Sequence, residues 1–160
     1  MKRFSQAVVV GLFLPAFSFG EFRRIALSFT GLDCASCSEF ISSRLARMRG
    51  VESAEVDRQA GKVTLLMRPD NRIRLGQVRD LVQQSGFTPG GADVEVRGAI
   101  ARAGSGWTLR IPETGAGYQL RLPDGFTPEA DIVVTVSGTV PPPATSGAPE
   151  ILEARSVARQ

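Results

Sequence analysis

The chain has 160 residues, 42% hydrophobic and 22% charged, a composition that allows one ordinary domain or two small ones and excludes a wholly disordered protein. Two cysteines and no histidine remove the commonest neutral metal ligand and general base, and exclude Ser-His-Asp and Cys-His catalysis within the chain. The formal charge is +3, two units of it from Lys2 and Arg3, so a chain lacking those two has no bulk attraction for nucleic acid or anionic membranes.

Residues 1–20 open with Lys2 and Arg3, continue through an apolar stretch from Ala7 to Phe17, and end with Ser18 and Gly20 at the −3 and −1 positions of a cleavage site. That is the pattern of a secretory signal peptide. The stretch is short of the about 20 apolar residues that a membrane span needs, which stands against an uncleaved anchor. The expected location is periplasmic or secreted, with no stable membrane insertion after cleavage.

In residues 22–30, Ile25, Leu27 and Phe29 alternate on one face and predict a strand. From Ser36 to Met48 the spacing of Ile41, Leu45 and Met48 predicts a one-sided helix, which Gly50 stops. Residues 51–57 and 62–67 predict two strands joined by a turn at Ala60-Gly61, with Val63, Leu65 and Met67 alternating. Leu75, Val78, Leu81 and Val82 predict a second helix over 75–85, ended by Gly86. Strand, helix, strand, strand, helix and one further strand make a ferredoxin-like βαββαβ unit. Residues 88–92, TPGGA, read as a turn-rich break. Beyond it helical periodicity disappears, and short strands are predicted at 93–102, 106–112, 117–122, 131–140 and 150–158, with the Pro-rich run 141–149 as a loop. Five short strands in so small a space fit a small barrel or sandwich. Residues 93–97 serve either as the last strand of the first unit or as the first of the second.

The chemistry lies between the first strand and the first helix, in Gly31-Leu32-Asp33-Cys34-Ala35-Ser36-Cys37. Cys37 falls in the first helical turn, where unpaired N–H groups and the helix dipole stabilise a thiolate. Two thiolates on one loop hold a soft ion, Cu(I), Hg(II), Zn(II) or Cd(II), in linear or bent geometry. With no histidine and no third cysteine, one chain cannot build a closed tetrahedral zinc site. A bare C-x-x-C also fits a redox pair or an inert one. Met48 and Met67 sit on periodic apolar faces and read as core, and Arg44, Arg47 and Arg49 read as a solvated helix face.

The run GLDCASC, with Gly50-Val51, Glu55-Val56-Asp57, Gly61-Lys62-Val63 and Ser85-Gly86-Phe87, resembles the heavy-metal-associated domain family of copper chaperones, copper-ATPase metal-binding domains and the periplasmic mercury-binding protein. The resemblance covers roughly residues 22–97. It implies one Cu(I), or Hg(II), between Cys34 and Cys37, and a metal-transporting or metal-accepting protein as partner. The family pattern is G-M-x-C-x-x-C, and Leu32 replaces its Met with another apolar side chain.

Residues 93–160 resemble, less specifically, a bacterial OB-like barrel, carried by Val94–Gly98, Gly106–Ile111 and Val134–Val140. OB folds often bind nucleic acid through aromatic stacking. Only Trp107, Tyr118 and Phe126 are available here, and export argues against nucleic acid, so a packing or protein-interaction role is expected. The fold class is therefore α+β: a signal peptide at 1–20, a ferredoxin-like metal-binding domain at 21–92, and a small all-β barrel at 93–160. The expected function is that of a non-enzymatic metallochaperone or scavenger. A periplasmic thiol-disulfide oxidoreductase, or an interaction module with a regulatory metal site, is the alternative.

Overall fold

A computed structural model describes residues 21–31, 35–145 and 147–160. The expected signal peptide, cleavage site included, and Leu32, Asp33 and Cys34 of the cysteine loop lie outside the described residues, as does Ser146. No helix among the described residues is long and apolar enough to cross a membrane.

The first part of the chain forms β1 (Glu21–Thr30), α1 (Ala35–Ala46), β2 (Val51–Asp57), β3 (Lys62–Met67), α2 (Leu75–Gln84) and β4 (Thr88–Ala103). All pairings within it are antiparallel, in the order β2-β3-β1-β4, which is the ferredoxin-like arrangement. The alternating residues of the strands and the one-sided residues of the helices meet. Ile25, Leu27, Val63 and Leu65 are fully buried together with Ile41 and Leu45 of α1 and Leu75, Val78 and Val82 of α2. Each such side chain contributes about 1.5–3 kcal/mol of burial free energy.

Four more strands follow: β5 (Gly106–Ile111), β6 (Ala116–Arg121), β7 (Val133–Val140) and β8 (Ile151–Arg159). β4 pairs with β5, β5 with β6, β6 with β8, β8 with β7, and β7 with β4, so the pairings close into a circuit. Only the β6–β8 pairing is parallel, which makes the whole sheet mixed.

The two parts share β4. Its residues Asp93 to Arg97 pair with β1 on one edge and with β7 on the other. Where β1 gives out, opposite Arg97, β5 takes over the same edge from Ala99 onward. Residues 93–97 therefore serve both units at once. Along β4, Ala92, Val94, Val96, Gly98 and Ile100 face one buried side throughout.

Residues 88–92 are not the expected turn. They open β4, with Pro89 opposite Phe29. The register shifts between Leu27 and Phe29, and such an irregularity tolerates a proline with no N–H to give. Gly90 suits the crowded spot, since a Cβ there would stand 3.3 Å from the Ser28 carbonyl oxygen. The Ser28 hydroxyl then donates to the Gly91 carbonyl at 2.6 Å.

A second irregularity, between Phe22 and Arg24, changes which way the start of β1 faces. Phe22 turns inward, out of the alternation set by Ile25 and Leu27, and is 1% exposed. Its ring meets Tyr118 of β6 edge-on, centroids 6.1 Å apart. One hydrophobic core thus runs from the helices into the five-strand circuit.

Candidate metal-binding loop

β1 delivers the chain to Gly31, and α1 begins at Ala35, so the expected ligand loop joins the end of one to the start of the other. Cys37 lies in the first turn of α1, half-buried and packed against the core. That turn carries no acidic side chain to oppose the positive end of the helix dipole. Cys37 is disulfide-bonded, and only a reduced sulfur can act as the expected thiolate ligand. Cys34, the other expected ligand, is outside the described residues. Among the described residues no group of three or more His, Cys, Asp or Glu side chains is placed to hold a metal ion.

Two neighbouring segments fix the base of this loop. Phe29 donates its N–H to the Gly61 carbonyl at 2.8 Å, tying the end of β1 to the β2–β3 turn. Gly61 has φ +56°, and a Cβ there would stand 2.8 Å from the Phe29 carbonyl oxygen, so only glycine fits. On the other side, a side chain at Gly31 would begin 3.8 Å from both the Gly86 carbonyl and the Phe87 ring. Phe87 is 7% exposed and packs edge-on against Phe29, centroids 5.5 Å apart. It is core, and through Gly31 it also braces the loop.

Arg44 corrects the expected solvated face. It is half-buried, donates to the Ser85 hydroxyl at 3.2 Å, and lies over the Phe40 ring at 5.5 Å. Arg47 and Arg49 are exposed. Met67 is buried and Met48 packs partly buried against the core. Phe40, one turn beyond Cys37, is 53% exposed.

The helix pattern also hides a residue that the apolar reading passed over. Leu75, Val78, Arg79 and Val82 are the buried residues of α2, so Arg79 occupies a core-facing position. Its guanidinium donates to the carboxylate of Glu150, to the Val140 carbonyl at 3.2 Å and to the Pro141 carbonyl at 2.8 Å. The signal in the sequence is an arginine four residues after Leu75, on the apolar stripe.

A family model for the heavy-metal-associated domain matches residues 27–88. The copper chaperone CopZ of Staphylococcus aureus (strain MRSA252) is 30% identical over 61 residues, which is 38% of this chain and 88% of that protein. The copper chaperone CopZ of Staphylococcus haemolyticus (strain JCSC1435) is 32% identical over 57 residues, 36% of this chain and 82% of that protein. Among solved structures, a CopZ metallochaperone is 26% identical, spans 41% of this chain and 97% of its own, and superposes with a TM-score of 0.39. The aligned stretch holds the cysteine loop and the elements that brace it, and by this likeness the chain belongs to the heavy-metal-associated domain family.

Proposed function

We propose that this chain is an exported soft-metal-binding protein, a metallochaperone or scavenger, that carries one Cu(I) between the thiolates of Cys34 and Cys37. The observation that carries the reading is the position of Cys37, in the first turn of α1, in a chain of this family whose donor set is two sulfurs and no histidine. Two soft donors suit a two-coordinate ion, with Hg(II), Zn(II) and Cd(II) as competing cargo. The relatives described as copper chaperones favour Cu(I).

Low coordination leaves the ion open to attack. A thiolate or thioether of a metal-transporting or metal-accepting protein adds to the ion, and one cysteine of this chain then leaves. Binding and transfer of this kind need no enzymatic turnover. Export through residues 1–20 would put the transfer in the periplasm or outside the cell, with no stable membrane insertion after cleavage.

We read residues 21–92 as the metal-binding unit and 93–160 as an OB-like barrel that borrows β4. The barrel reading is supported by the closed pairing of its five strands, in the order first, second, third, fifth, fourth and back to first. Its role in this account is packing or protein contact, with no nucleic-acid ligand.

The test is anaerobic titration of the reduced protein with Cu(I) against a competing chelator. One tightly held ion per chain, lost in Cys34→Ser, supports the reading; no binding, or binding unchanged in the variant, rejects it. The disulfide at Cys37 favours a second reading, that of a thiol-disulfide oxidoreductase. Turnover of a disulfide substrate without metal would establish that reading instead.

A further inference from the structure

The pairing of β6 with β8 is short. It joins Gln119, Leu120 and Arg121 to Ile151, Leu152 and Glu153, in parallel. β8 runs on to Arg159 with β7 along one edge, and from Ala154 onward its other edge has no partner strand among the described residues. This leaves a seam in the five-strand circuit.

The chain that follows β6 lies along that seam. Arg121 and Glu153 are 32 positions apart, and the Arg121 guanidinium donates to the Glu153 carboxylate at 2.9 Å. The same separation of 32 recurs at the far end, where Arg159 donates to the Thr127 carbonyl at 3.2 Å. From Arg121 to Thr127 the chain therefore keeps step with β8, but without a ladder of hydrogen bonds. Pro123 and Pro128 have no N–H to give to one. Among the described residues, no hydrogen bond other than that from Arg159 ties residues 123–130 to the rest of the chain.

Side chains hold the segment instead. Leu122 and Ile132 pin its ends and Phe126 its middle, each half-buried and packed against the core. The Arg159 guanidinium lies 5.9 Å from the centre of the Phe126 ring. Glu129 pairs with Arg159 at 3.6 Å and Asp131 with Arg110 at 3.8 Å, all four side chains being exposed. Exposed pairs of this kind are weak and are screened by salt. The exit is firmer: the Asp131 N–H donates to the Ile100 carbonyl at 2.8 Å, and the Ile132 carbonyl accepts from the Ile100 N–H at 3.0 Å. Asp131 itself is held at φ +64°, where residues with a side chain are uncommon, so it marks the hinge.

We infer that residues 122–130 are a strap, latched by Arg159 over the unpaired edge of β8, that opens while the strands stay folded. Closed, the strap shields that edge and seats Phe126 on the core. Open, it leaves the edge from Ala154 to Ala158 free to take an extended strand. The device is built from the five-strand circuit and makes no use of the cysteine loop.

The test is native-state proteolysis of the full chain with thermolysin, which cuts before large apolar residues, read by mass spectrometry. Below the unfolding transition, cleavage before Phe126 should proceed at a rate nearly independent of urea and should rise with salt. In Arg159→Gln it should be about fivefold faster. Arg23→Gln, which removes the exposed pair with Glu95, takes away the same charge far from the strap and should leave the rate unchanged. Urea unfolding of each variant separates a loosened strap from a loosened fold. Cleavage before Phe126 that carries the full urea dependence of global unfolding overturns the proposal. So does an unchanged rate in Arg159→Gln, or equal acceleration in both variants.

Discussion

Arg79 and Glu150, seventy-one residues apart in sequence, form a hydrogen-bonded ion pair that ties α2 to the entry of β8. The same guanidinium holds the carbonyls of Val140 and Pro141 at the end of β7. Tyr118 of β6 is drawn in as well. Burial, with the charge of Glu150 adding to it, pushes its phenol well above the usual range. One polar knot therefore joins α2 to three strands of the five-strand circuit.

Removing Arg79 leaves Glu150 and two carbonyls without their partner. Arg79→Met should cost about 3 kcal/mol in urea unfolding. It should also separate two signals. Far-UV circular dichroism at helical wavelengths reports α1 and α2, and fluorescence of Trp107, the single tryptophan, reports β5. The two transitions should coincide in the parent chain and part in the variant. Coincident transitions and a cost below about 0.5 kcal/mol would show that the pair contributes no more than an exposed one.

Asp93 sets an acid limit on stability. Burial raises its pKa, but hydrogen bonds from Thr139 and Lys62 and the charges of Arg155 and Lys62 outweigh that and hold it below the ordinary 3.8. A depressed folded pKa contributes stability that is fully present above the unfolded value and is lost as pH falls through the folded one. Between pH 5 and the folded pKa the parent should therefore lose stability more steeply than Asp93→Asn. Parallel curves from denaturant titrations across that window would contradict this.

Gly138 sits where the β7–β8 register shifts, and a Cβ there would lie 2.2 Å from the Glu153 carbonyl oxygen. Backbone must move to admit it, so Gly138→Ala should cost about 1–3 kcal/mol. Gly117→Ala is the control, since a Cβ there meets only the Thr108 hydroxyl at 3.7 Å. Equal thermal shifts in the two variants would show that β7 and β8 yield more easily than their spacing implies.

Elements set by local periodicity were legible in the sequence. The one-sided spacing of Ile41 and Leu45, and of Leu75, Val78 and Val82, places both helices on the sheet as expected. Features set by long-range contact were not. Pro89 and Gly90 look like turn residues until Ser28 is known to lie against them. Phe22 breaks the alternation of β1 because of a bulge that only the pairing with β4 reveals. The partners of Arg79 come from positions more than sixty residues away. At the candidate site the spacing predicts Cys37 in the first helical turn, and the structure finds it there.

Oxidation gates the site in this account. A disulfide removes both sulfur ligands at once, and no third cysteine exists to reopen it. Purified protein left in air should lose Cu(I) binding, and a mild reductant should restore it. Bound Cu(I) should slow the loss of free thiol by occupying both sulfurs. Thiol counting over time on apo and loaded samples checks this, and equal rates in the two would mean that the metal is not held by the cysteines.

The most direct measurement is the Cu(I) stoichiometry of the reduced full chain, by competition with a chelator of known affinity under anaerobic conditions. The account predicts one ion per chain in the parent and none held against the chelator in Cys34→Ser or Cys37→Ser, with both variants folded by circular dichroism. Unchanged binding in either variant would contradict it.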